Sequence, residues 1–273
     1  MNFNDLRIKR NERMLVASHR GVCSANIPCN TLEAFSLALR QGADIIELDV
    51  TKSLDGQLFV FHPFMDFPHL KKIIPMQFKH SNVIKNFRYV NNDLTPTKYP
   101  VSTFDEALDF LKDKCIINID KFWSSPKIIS EKLDYHNMRD KVLIKSYYSN
   151  KNVTVLKELV PDVPYMLMTR RHENGIEENL IKNGVNLVAE ELIFRSEDDP
   201  LISNDHLKKR RSLNLFSWVN TIVYNYKDVI SAGKTDDLAI LGNEDLVWGW
   251  LRDKGVDVVQ TDWVRELIDY LSN

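Results

Sequence analysis

The sequence predicts an α/β fold, a closed (β/α)8 barrel of the TIM type with a small insertion after the hairpin that follows its second strand. Three observations carry this reading. Short apolar runs of strand length recur along the 273 residues and alternate with amphipathic helical stretches. Counting the runs at 14–18 and 45–50, and setting the hairpin arm aside, gives eight strands, each followed by a helix or a helical insertion, which is the arithmetic of a closed barrel. Polar residues able to do chemistry fall at the C-terminal ends of those runs, where such barrels carry their sites: His19, Asp49, Asp120, Ser146, Glu190, Trp218 and Asp262.

Taken in order, residues 14–18 read as a first buried strand, with His19-Arg20-Gly21 at its end. Leu32, Phe35 and Leu39 form a helical stripe; Asn30 is the expected N-cap, Glu33 follows three residues on, and Gly42 stops the helix. The second strand is 45–50. Asp55-Gly56 marks a tight turn, and 58–62 folds back as the hairpin partner, bringing His62 toward the end of the barrel that carries His19. Residues 63–100 change character: six basic residues (Lys71, Lys72, Lys79, Lys85, Arg88, Lys98) face only Asp66 and Asp93, among interleaved aromatics and prolines. This is read as an insertion over the active face. A lid that attracts an anionic substrate is its functional reading, and a solvated basic loop is the alternative.

Thr103-Phe104-Asp105-Glu106 is a capping box opening a helix through Leu111. Further strands are expected at 115–120, 142–146, 164–168, 185–190, 213–218 and 256–260. Helices are expected at 126–134, 151–160, 174–183, 204–212 and 244–254, with a last one after Asp262. The whole of 1–273 reads as one barrel domain, with the insertion at about 63–100.

Composition narrows the function. Hydrophobic content of 44% and charged content of 27% supply a core and argue against disorder. A net charge of −2, from 36 basic and 38 acidic residues, argues against a general nucleic-acid binder. Cys23, Cys29 and Cys115 have no zinc spacing and form no even disulfide set, so free thiols in a reducing compartment are expected. The N-terminus lacks an apolar signal-peptide core, and no stretch approaches the ~20 apolar residues of a membrane span. A cytoplasmic location with no integral membrane segment is therefore expected. Nothing in the sequence sets the oligomeric state.

Glu47 and Asp49 alternate with Ile46, Leu48 and Val50, so both carboxylates point to one face of the strand. Two carboxylates side by side repel unless a cation lies between them, and hard oxygen ligands suit Mg²⁺ or Ca²⁺. A solvated strand end, or a pair of structural ion pairs, is the plainer alternative. The nearby His19 and His62 favour chemistry, because histidine is the natural proton carrier near neutral pH.

The chain resembles the glycerophosphodiester phosphodiesterases. The likeness runs through His19-Arg20-Gly21, Pro28-x-Asn30-Thr31-Leu32-x-Ala34-Phe35, Gly42-Ala43-Asp44-x-x-Glu47-Leu48-Asp49-Val50, Asp55-Gly56 and His62. It continues in Ile117-Asn118-Ile119-Asp120, Lys145-Ser146-Tyr147, Trp218-Val219-Asn220 and 255–262, nearly the whole chain in order. The resemblance implies metal-dependent hydrolysis of glycerophosphodiesters to sn-glycerol 3-phosphate and an alcohol. It implies that His19 and His62 are the acid/base pair, with His62 the acid and His19 the base. It further implies that Arg20 clamps phosphate and that Glu47, Asp49 and Asp120 hold a divalent cation, Mg²⁺ or Ca²⁺. A phospholipase D-like lyase acting on lysophospholipids, or a non-catalytic barrel binding phosphate esters, are the alternatives.

The chain departs from the family pattern in several places. The lysine usual two positions after the third acid is replaced by Phe122, and Lys121 is expected on the opposite face. Lys145 is the substitute phosphate contact, with pairing to an interior carboxylate as its alternative. Cys29 and Pro63 stand where the family has acids, and Thr261-Asp262-Trp263-Val264 reads as structural. Trp218 is the candidate for stacking on the glycerol or choline part of a substrate, with core packing as its alternative.

Overall fold

Runs rich in Ile, Val and Leu can be buried on both faces only in a sheet covered on both sides, and that is how this chain uses them. A computed structural model describes all residues except 172, 174, 224–226, 229 and 273. In chain order its strands are β1 (Leu15–Ser18), β2 (Ile45–Lys52), β3 (Leu58–Val60), β4 (Arg88–Val90), β5 (Pro96–Pro100), β6 (Ile116–Asp120), β7 (Val142–Tyr147), β8 (Tyr165–Thr169), β9 (Leu187–Leu192), β10 (Phe216–Asn220) and β11 (Val258–Thr261). Eight of them pair in parallel in the order β1-β2-β6-β7-β8-β9-β10-β11. The barrel closes where Leu15–Ser18 lies against Val258–Thr261. β3 is the antiparallel hairpin arm, with Val50 opposite Val60.

Helices cover the outside, and their starts are set by side-chain caps. Thr31, Thr103, Ser149 and Ser203 each accept a bond from the backbone N–H three residues on. The expected cap at Asn30 moves to Thr31, because the Asn30 side chain is committed to Asp49. One strand begins three residues later than the sequence suggests. The apolar run at 213–215 serves the end of the preceding helix, where Asn214 takes a left-handed turn and Leu215 N–H bonds back to Arg210. β10 therefore starts at Phe216, and Trp218 lies in mid-strand.

The N-terminal stretch, for which the sequence predicts no element, is a helix, Phe3–Lys9, opened by an Asn2/Asp5 capping box. Its Phe3 and Leu6 plug the floor of the barrel against Leu15, Ile45, Ile116, Leu143, Met166, Phe216 and Trp218. Each such buried side chain contributes roughly 1.5–3 kcal/mol over leaving it in water. Residues 63–100 hold short helices at Asp66–Leu70 and Ser81–Ile84 and the β4–β5 ribbon. They pack around a small core of their own, Phe61, Leu70, Met76, Ile84, Phe87 and Tyr89.

Candidate active site

Above the apolar floor, the barrel interior turns polar toward the C-terminal strand ends. Strand alternation puts Glu47 and Asp49 on the inner face of β2, and the register sets Asp49 beside Asp120 of β6. Each of the three carboxylates offers an oxygen within 4.8 Å of the others; among the described residues this is the one group of three potential ligands so placed. Asp49 Oδ1 is buried without a hydrogen-bond partner. An orphaned carboxylate oxygen facing two other acids fits a hard cation, which satisfies lone pairs that nothing else reaches.

The surroundings fix these carboxylates in place. Asn30, itself in the left-handed region, donates from Nδ2 to Asp49 Oδ2 at 3.0 Å and accepts from the Asp49 N–H at 3.3 Å. Arg20 Nε lies 2.8 Å from Asp49 Oδ2, and its backbone N–H donates to Glu47 Oε2 at 3.1 Å. The turn that delivers Arg20 depends on Gly21: at φ +76° a Cβ would come within 2.7 Å of the Ala34 backbone. Burial first, and then Asp49, push the Glu47 carboxyl up to about 7. Asp120 goes the other way: burial alone would raise it, but Lys145 and Lys121 outweigh that and hold it at about 2.

The two histidines are held differently. His19 follows β1, and its Nδ1 lies 2.8 Å from Asp262 Oδ1, leaving Nε2 free. Burial acts against its imidazolium, but the Asp262 carboxylate, helped by Glu47, outweighs burial and raises its pKa. His62 Nδ1 lies 2.9 Å from the Pro63 carbonyl. Burial lowers its pKa, with the Arg20 and Lys121 cations adding to that against Asp49. Asp262 thus has a place beside the chemistry that the sequence did not signal, beyond its position at the end of the last strand.

Two further residues differ from expectation. Lys121 does not face away. β6 ends at Asp120, Lys121 takes φ +65°, and the chain reverses, so strand alternation no longer applies. Its Nζ comes to 2.9 Å from Asp120 Oδ2 and 4.0 Å from Asp49 Oδ1, while Phe122 turns into the core. Trp218 does not reach the mouth. It is 1% exposed in the barrel interior and donates from Nε1 to Asn220 Oδ1 at 3.0 Å. Lys145 is also interior, 3.1 Å from Glu191 Oε2 and 3.8 Å from Asp120 Oδ2. Of the neighbouring acids at the end of β9, Glu191 points inward to Lys145, and Glu190 points outward to Arg210 and His206.

Comparison with known proteins places this geometry. A glycerophosphodiester phosphodiesterase of Bacillus altitudinis is 26% identical over 171 residues, covering 56% of this chain and 66% of that protein, just under two thirds of its length. A glycerophosphoryl diester phosphodiesterase structure from Parabacteroides distasonis matches 100% of this chain and 92% of its own, with TM-score 0.74 and 16% identity. The chain is thus similar in sequence to a glycerophosphodiester phosphodiesterase and shares the fold of another. An Oleispira antarctica phosphodiesterase, solved with the product sn-glycerol-3-phosphate, shares the fold over 97% of this chain and 99% of its own, with TM-score 0.67 and 14% identity. A family model described as a domain of unknown function, DUF4996, matches residues 165–271, the half of the barrel opposite the acid cluster.

The mouth is flanked by two cavities, and neither is lined by the acid cluster. One, of about 540 Å³, is lined by His19, Arg20, Cys23, Cys29, Asp262 and Trp263. The other, of about 700 Å³, lies past His62 and Lys121. Among the described residues no helix is long and apolar enough to cross a membrane.

Proposed function

We propose that the chain hydrolyses glycerophosphodiesters to sn-glycerol 3-phosphate and an alcohol, using a divalent cation, Mg²⁺ or Ca²⁺, held by Glu47, Asp49 and Asp120. The observation that carries this is the convergence of three carboxylates, with an orphaned Asp49 oxygen, between two histidines whose free nitrogens remain for substrate. The likeness to a phosphodiesterase solved with sn-glycerol-3-phosphate supports the product assignment. When bound, the cation supplies neutralisation of the phosphoryl charge.

The residues do the rest. Arg20 and Lys121 add positive charge at the acid cluster and bind phosphate oxygens; Lys121 stands in for the lysine that Phe122 displaces. Lys145, engaged with Glu191 and Asp120, sets the charge of the interior. The ionisation directions favour the reverse of the acid/base order expected from sequence. Asp262 keeps the proton on His19, which then gives it from Nε2 to the departing alcohol oxygen. His62, held neutral, takes the proton of the attacking water. The test is release of glycerol phosphate from glycerophosphocholine and glycerophosphoethanolamine with Mg²⁺ or Ca²⁺, with and without EDTA. Release that EDTA abolishes is expected; no release with either metal sinks the reading.

A further inference from the structure

Residues 63–100 carry an excess of positive charge that the rest of the chain does not share. Six basic residues stand there against Asp66 and Asp93, although the whole chain is net −2, so the remainder is acidic overall. At the surface the imbalance is larger still. Asp66 is 2% exposed, and its carboxyl accepts the Met76 N–H at 2.7 Å. Two of the lysines meet a carbonyl and a ring. Lys71 Nζ lies 3.3 Å from the Leu94 carbonyl oxygen, and Lys72 Nζ lies 5.0 Å from the centroid of the Phe87 ring.

Large apolar side chains stand open among these cations. Ile73 is 87% exposed and Phe64 72%, and Leu54, Phe67, Ile74 and Phe78 are each more than half exposed. Backbone bonds gather the six together. Met76 N–H bonds to the Asp66 carboxyl and Lys72 N–H to the Asp66 carbonyl, which folds 72–76 back onto the first turn of the helix that holds Phe67. Leu54 N–H bonds to the Lys79 carbonyl at 2.9 Å, which sets the hairpin tip beside Phe78. Leu54 and Phe64 line the one cavity that runs in to His62 and Lys121. Single exposed apolar residues are ordinary, but six gathered on one insertion mark an interaction surface. Phe64 adds to this. Its φ of +65° is costly for a bulky side chain, and an exposed ring recovers nothing through burial.

The mixture of side chains decides what covers them. A small anion would meet the lysines and leave the rings and isoleucines in water. An apolar protein face would cover the rings and strip water from Lys71 and Lys72 without giving them a partner. A bilayer with anionic head groups meets both, because its phosphates lie at the level of lysine tips and its hydrocarbon lies just beneath.

We propose that this face of the insertion is a docking surface for an anionic lipid bilayer. Phe64, Phe67, Ile73 and Ile74 enter the head-group layer, and Lys71, Lys72 and Lys79 lie against lipid phosphates. The contact is peripheral, and it holds the His62 side of the mouth at the lipid surface. The proposal does not rest on the phosphodiesterase reading.

The test is flotation of the full chain with vesicles of phosphatidylcholine alone and of phosphatidylcholine mixed with phosphatidylglycerol, at low and at high salt. Binding should be at least about tenfold stronger to the mixed vesicles at low salt. It should fall as salt rises, because the attraction of each lysine to an anionic surface is screened. Lys71→Gln combined with Lys72→Gln should weaken it by roughly tenfold or more. Ile73→Ser and Phe64→Asn should each weaken it by about tenfold, and asparagine tolerates the left-handed backbone at 64. Each variant is compared at an unchanged melting temperature, so that a loss of binding is not a loss of fold. Equal binding to the two kinds of vesicle, no binding to either, or binding that all the variants leave intact overturns the proposal. Sedimentation reads the remaining outcome. A dimer that Ile73→Ser dissociates, without vesicle binding, assigns the face to a second copy of the chain and overturns lipid docking.

Discussion

The two walls of the mouth are built from different materials. The His19 wall is polar: a carboxylate on the imidazole, an arginine in a left-handed turn, two thiols and a cavity of about 540 Å³. The His62 wall is apolar and cationic: a carbonyl on the imidazole, Lys121 alongside, and exposed aromatics around a cavity of about 700 Å³. The same residue type is therefore pushed in opposite directions, His19 toward holding its proton and His62 toward losing it. In the proposed reaction, what stands behind each ring suits one histidine to donate a proton and the other to accept one.

Removing either ring is the harshest way to break that contrast. His19→Ala and His62→Ala should each lower kcat/KM by about 10²–10⁴-fold, with thermal stability little changed. Activity retained by either variant would remove that histidine from the reaction.

The two lysines sharpen the picture next. Lys145→Met leaves Glu191 and Asp120 facing each other in the interior, and should cost about 3–5 kcal/mol of stability, read by denaturant unfolding. Lys121→Met, at the more open edge, should fold normally and lose roughly 10–100-fold in kcat/KM, because a charge-assisted contact to phosphate is worth about 1.5–3 kcal/mol. If the two variants exchange phenotypes, Lys145 is the phosphate contact.

Between the walls, the proposed cation site ties its affinity to pH through Glu47. Its carboxyl, pushed up to about 7, carries a proton below that value, and a cation must displace it. Affinity for Mg²⁺ or Ca²⁺ should therefore strengthen by about tenfold per pH unit up to that value and then level off. Calorimetry in buffers of different protonation enthalpy should show proton release on the acid side. Binding independent of pH between the acid range and neutrality would contradict the raised Glu47.

The gentlest change is Asp262→Asn, which keeps the shape of the His19 contact and removes its charge. Asp262 raises the pKa of His19, so the substitution should lower it and leave His62 unmoved; imidazole NMR titration of the metal-free protein reads both. In activity, the alkaline limb of kcat/KM should shift to lower pH, because His19 then loses its proton earlier. An unshifted limb would mean that His19 is not the donor.

Most of the barrel is legible in the sequence because its signals are local. Alternation within 45–50 puts Glu47 and Asp49 on one face whatever else the chain does, and Asp55-Gly56 turns the hairpin that returns His62. The acid cluster follows from that alternation together with one strand pairing, Asp49 with Asp120. The features that escaped the sequence are of another kind. Trp218 is interior because 213–215 finishes a helix before β10 begins, and an apolar run does not reveal which of its residues belong to the cap. Asn30 looks like an N-cap because the same side-chain amide serves a helix or a carboxylate equally well.

The order of strands and helices and the face on which each acid lies are written in the residue pattern, because periodicity is a property of neighbouring residues. Tertiary structure alone decided which groups meet across the barrel. Asp262 reaches His19 only because β11 closes on β1, and Lys121 reaches Asp49 only because one backbone dihedral reverses the chain after β6. Both depend on closure and on a single φ, and no pattern of residue types along the chain encodes either.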